Sequence, residues 1–174
     1  MRNAETSFRE SRRRRRGAEI VVGLLGALVV AVGLLASTGP GAAASTLTVV
    51  AGADAFVSKA APNANNGTAQ YLRTSTASST FNSYLRFDLT GLAGTVAGAT
   101  LQLFSRSTQT GTYRVYATGP FTETTITWAN APAFGAQVGS FTKNTRGSWT
   151  SVPITSGVTA GAVVTVAQIG RAHV

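Results

Sequence analysis

The chain has no cysteine, a single histidine and only six carboxylates among its 174 residues. Without cysteine there is no disulfide staple, no thiol nucleophile and no thiolate metal site. The histidine, His173, stands in the last six residues, so the body of the chain holds no imidazole base. Glu5, Glu10 and Glu19 lie near the start, which leaves Asp54, Asp88 and Glu123 for the rest. A glycosidase needs two carboxylates flanking the scissile bond, and these three give no obvious pair. A lyase set of histidine, tyrosine and arginine is also missing. Catalysis within this segment is therefore not expected.

The two ends differ from the middle. Residues 12–16 are five arginines, residues 20–36 are an unbroken apolar run, and Gly39-Pro40-Gly41 precedes Ala42-Ala43-Ala44. A basic head, an apolar middle and small residues at a cleavage point describe a secretory signal over residues 1–44. Export follows, to the outside of the cell or to its wall. At the other end IGRAHV, residues 169–174, breaks the local style, and its back-translation resembles a sequencing-adapter read. That expectation makes 169–174 a non-native tail and 45–168 the module, with further chain belonging beyond Gln168.

Charge of both signs is scarce in the module. The net +9 is spread along the chain. Seven arginines against three glutamates give +4 before residue 45, and seven cations against three acids give +4 between 45 and 168. The module's cations are dispersed, with no run or stripe of the kind that nucleic acid selects. Nucleic acid is excluded as a partner. A mildly positive field suits an acidic polysaccharide or an anionic wall.

Helical apolar spacing is absent, while threonine, serine, glycine and asparagine abound. Short alternating runs predict strands over 46–51, 53–57, 71–74, 83–88, 98–105, 112–117, 125–128, 137–141, 149–153 and 163–166. Glycine, proline or asparagine punctuates many of the gaps. This pattern predicts an all-β, antiparallel, two-sheet sandwich, with a closed barrel as the alternative. Alternation assigns the core: Leu85, Phe87 and Leu89; Ala99, Leu101 and Leu103; Tyr113, Val115 and Ala117; Val152 and Ile154. Trp128 and Trp149 are expected as core or sheet-corner residues. Arg86 is expected to pair with Asp88, two residues along the same face, or to reach Glu123.

Six pieces in order carry a resemblance: ADAFVSKAAPNANNG (53–67), YLR (71–73), SYLRFDLTGL (83–92), VAGATLQLF (96–104), FTETTITWANAP (121–132) and SWTSVPIT (148–155). They resemble the DNRLRE domain family, which is similar to carbohydrate-binding module family 96. The resemblance implies a jelly-roll-like module attached to an exported polysaccharide lyase, hydrolase or wall protein, and binding acidic glycans such as alginate. It also implies a closing strand absent from this chain. Three positions depart from the family pattern: Asn66 replaces an aromatic, Phe121 a tryptophan and Pro153 an acid. Pro153 removes a ladder donor and so marks an edge strand.

Sugars stack on aromatic rings and hydrogen-bond polar groups, and an acidic sugar adds pairing to arginine. The candidate ligand-binding residues are Arg73, Arg106, Arg114, Tyr116, Tyr71 and Tyr84. No cofactor is expected. Calcium, the one ion that fits, would draw on Asp54 and Asp88. The alternative functions are a structural wall or stalk module without a specific ligand, and the N-terminal fragment of a polysaccharide lyase.

Overall fold

The computed structural model describes residues 20–33, 45–76 and 80–170. Among the described residues, ten strands make up two antiparallel sheets: β1 (Ile20–Gly33), β2 (Ser45–Val50), β3 (Ala53–Ser58), β4 (Tyr71–Thr76), β5 (Thr80–Asp88), β6 (Thr95–Ser105), β7 (Gln109–Thr118), β8 (Phe134–Asn144), β9 (Trp149–Pro153) and β10 (Val163–Ile169). The first sheet runs β9-β6-β1, and the far side of β1 pairs first with β4 and then with β2. The second runs β8-β7-β10-β5-β3. The hairpin between β4 and β5 links the two sheets through Ser75 and Thr76. This is the antiparallel sandwich that the alternation predicts.

Nine of the ten predicted strands form. The exception is 125–128, which is a run of turns. Its backbone is claimed locally: Ile126 N–H donates to the Thr122 carbonyl (2.9 Å), and the Asn130 side chain takes the Thr127 N–H (2.6 Å). The Asn130 amide also donates to the Thr125 carbonyl (2.9 Å), so little is left for a ladder.

Residues 20–33, assigned by sequence to an export leader, form β1. The arginine run and the alanine triplet lie outside the described residues. Valine and isoleucine enrichment with no charge fits a strand as well as a leader. Ile169, placed by sequence in the tail, closes β10 opposite Asn82 and Arg114. His173 lies outside the described residues. Pro153 sits in β9, an edge strand of the first sheet, as its missing N–H requires.

Between the sheets Leu85, Phe87, Leu101, Leu103, Tyr113, Val115, Val152, Ile154 and Val166 are buried in one cluster. Each large apolar side chain there contributes about 1.5–3 kcal/mol. A second cluster lies on the other side of the second sheet: Ala53, Ala55, Val57, Tyr84, Ala167, Phe121 and Ile126. It exists because the connection between β7 and β8 folds over that face. Asn65 ties this cover down, donating to the Glu123 carbonyl (2.7 Å) and the Ile126 carbonyl (2.8 Å). Gly67 lets the two loops meet, since a Cβ there would strike the Glu123 carbonyl oxygen and lie 2.8 Å from its carbon.

Candidate functional site

The outer face of the first sheet collects aromatic rings and cations from three strands. On β6, Leu101, Leu103 and Ser105 point into the sandwich, so Phe104 points out, and Arg106 is exposed in the bend that follows the strand. On β9, Val152 points in and Trp149 points out, directly opposite Phe104 in register. The two rings meet edge to face at 5.4 Å, and Trp149 is 45% exposed. On β4, Leu72 and Thr74 are buried, and Tyr71 and Arg73 take the opposite parity, Arg73 with its Nε buried beside Phe56 and Phe81.

Arg106 follows Phe104 by two residues, just past the end of β6. Its guanidinium lies 5.7 Å from the Tyr71 ring centre. Arg73 shares that ring at 5.9 Å and also lies over Phe81 (4.9 Å) and Phe56 (5.8 Å) at the sandwich edge. Such cation–ring contacts hold planar guanidinium groups in place. The result is a strip with exposed Trp149 and Phe104 at one end and two cations around Tyr71 at the other.

Three of the six sequence candidates, Tyr71, Arg73 and Arg106, therefore come together. Arg114 and Tyr116 lie apart from them, half-exposed on β7 in the second sheet. Tyr116 packs on Phe134 at 5.4 Å. Tyr84 corrects the expectation of an accessible ring, because it is 1% exposed. The β7–β8 connection covers it: Phe121 meets its ring at 5.8 Å, and its hydroxyl donates to the Pro132 carbonyl at 3.4 Å. Burial pushes that phenol up to about 12.

Trp149 is the residue that sequence reasoning misplaced. It was expected in the core or at a sheet corner, yet its parity opposes that of Val152 and Ile154, and that signal was available. Trp128 is half-buried against the second cluster, as expected.

The acids do not converge. Asp88 accepts from the Thr90 hydroxyl (2.6 Å) and N–H (2.9 Å), and these bonds hold its carboxyl below the usual range. Arg86 is the smallest contributor to that shift, so the expected Arg86–Asp88 pair is replaced by a turn closed by Thr90. Asp54 lies instead near Glu123. Burial first, and then the Glu123 charge, push its carboxyl up to about 6. Among the described residues, no three histidine, cysteine, aspartate or glutamate side chains gather as a metal set.

With this geometry in view, two likenesses bear on it. The model of a family described as carbohydrate-binding module family 96 matches residues 45–170. A gellan lyase from a Bacillus species is 37% identical over 129 residues, a match that covers 66% of this chain and 5% of the lyase. The chain thus spans about a twentieth of that relative's length.

Proposed function

Because the chain belongs to carbohydrate-binding module family 96, a family of non-catalytic modules, we propose that it holds polysaccharide on the strip formed by Trp149, Phe104, Arg106, Tyr71 and Arg73. One observation carries this reading: an exposed tryptophan set edge to face with a phenylalanine, near two arginines that share one tyrosine ring. Sugar rings lie on Trp149 and Phe104 through their apolar faces. Arg106 and Arg73 receive carboxylates, which makes an acidic glycan the favoured ligand. The strip is set on strands, so little ordering is needed when the glycan binds.

The module works within a larger exported protein that acts on polysaccharide. The partial match to a gellan lyase supports that setting. The family match starts at Ser45, where the sequence expects the leader to end, and this supports export. All five strip residues lie within 45–170, although β1, formed by residues 20–33, is the strand that β4 and β6 both flank.

The test is affinity gel electrophoresis of the purified protein in gels containing gellan, alginate, pectin, xylan or chitin. Retardation by a carboxylated polymer, weakened by added salt, supports the reading. No retardation on any polymer favours a stalk module without a specific ligand.

A further inference from the structure

The opposite face of the sandwich holds a cleft that the strip does not use. It has a volume of about 450 Å³ and is lined by Arg86, Pro120, Phe121, Thr122, Thr125 and Pro132, among others. That volume lies within the ~300–1,000 Å³ range of small-molecule sites. The floor is the second sheet, where Arg86 follows Tyr84 on the outward parity of β5. The wall is the β7–β8 connection.

The charge in this cleft has one sign, because Arg86 is the charged residue of its lining. Asp88, two residues on, is turned onto Thr90, and the charge of Arg86 adds least to its lowered carboxyl. The rest of the lining is one phenylalanine, two prolines, two threonines, an isoleucine and an asparagine, a mix of apolar and neutral polar groups that suits a sugar.

The wall is preformed. Asn130 braces it from within through Thr125 and Thr127. Ala129 N–H donates to the Pro62 carbonyl (3.0 Å), and Asn65 holds the Glu123 and Ile126 carbonyls. Tyr84 ties the far end at Pro132. A cleft held from so many sides requires little reorganisation on binding.

We propose that this cleft is a second binding site, which takes one sugar ring bearing a carboxylate, with the carboxylate on the Arg86 guanidinium. The proposal rests on the polysaccharide reading for its ligand class but on different residues. A planar guanidinium donates two parallel N–H bonds to a carboxylate, a pairing that a neutral sugar cannot form. Arg86 thus makes the site selective for uronates, either free or at the end of a chain.

Amide chemical shifts of the full chain are followed during titration with glucuronate, glucose and a uronate-terminated tetrasaccharide. The expected result is shift changes at Arg86, Thr122 and Thr125 with glucuronate or the tetrasaccharide, and none there with glucose. Response to the monosaccharide identifies free uronate as sufficient; response to the tetrasaccharide alone identifies the chain end. Arg86→Gln weakens this binding about tenfold or more, whereas Arg86→Lys keeps part of it. Thr125→Trp fills the cleft from an exposed position and abolishes binding, which keeps the test valid if an Arg86 variant is unstable. Trp149→Ala leaves it unchanged.

Equal shifts with glucose and glucuronate overturn the proposal, and so does the absence of shifts at the cleft with either acidic ligand. If the polymers are retarded in a Trp149-dependent way while the cleft stays silent, the cleft fails and the strip stands. If the cleft responds and no polymer is retarded, the strip fails and the cleft stands.

Discussion

Replacing Asp54 by asparagine should make the protein more stable at neutral pH. Its carboxyl is raised from 3.8 to about 6, chiefly by burial. The folded protein therefore keeps a proton on Asp54 between these values that the unfolded chain has already released. Stability is greatest below the unfolded value and falls as pH rises through the folded one. Taken whole, the shift corresponds to ~3 kcal/mol at 1.36 kcal/mol per pKa unit. Asp54 is only half-buried, so solvent screening reduces this to about 1 kcal/mol. Asp54→Asn removes the charge that is disfavoured above pH 6, and with it that decline. Glu123→Gln removes the second cause and restores part of the loss. Urea unfolding at about pH 4 and about pH 7 reads both effects as midpoint shifts at constant slope. A decline of wild-type size in Asp54→Asn refutes the assignment and moves the titration to another group.

Gly67→Ala should cost more than an ordinary surface change, about 2 kcal/mol or more, because its Cβ falls on the Glu123 carbonyl; thermal melting reads the loss. Phe121→Ala should lose about 3–5 kcal/mol in urea unfolding, since Phe121 is 7% exposed against Tyr84. The fluorescence of Trp128 should redden at the same time as its cover loosens. Intact mass of the exported protein should give a chain that starts at Ser45; a species retaining residues 20–33 would show that β1 is a resident strand.

The sandwich was legible because each sheet has one dry inner face, which forces strict alternation. Leu85, Phe87, Leu101, Leu103, Tyr113 and Val115 follow from that rule alone. The segment 125–128 was misread because threonine, isoleucine and tryptophan favour strands, while the Asn130 side chain binds the backbone into turns. Local propensity does not register a bond from five residues away. Tyr84 failed for another reason. Its parity away from the core was right, but parity says nothing of a distant connection that covers the far face. Residues 20–33 show the limit of an unbroken apolar run, which fits a leader and a strand equally.

The site was half legible. Tyr71, Arg73 and Arg106 were singled out by sequence, yet nothing local placed them side by side. Their meeting depends on β4 and β6 flanking the same strand. Arg86 was set aside for a partner two residues away, and Thr90 took that partner first. Trp149 was judged by residue type when its alternation with Val152 placed it outside.

The most direct measurement is the binding isotherm of Trp149→Ala beside wild type on whichever polymer retards the protein most. Trp149 is 45% exposed, so its loss should leave stability within about 0.5 kcal/mol. The strip predicts binding weakened about tenfold or more by losing a central aromatic contact, with an unchanged melting temperature. Unaltered affinity in the folded variant would contradict the strip as the place where the glycan lies.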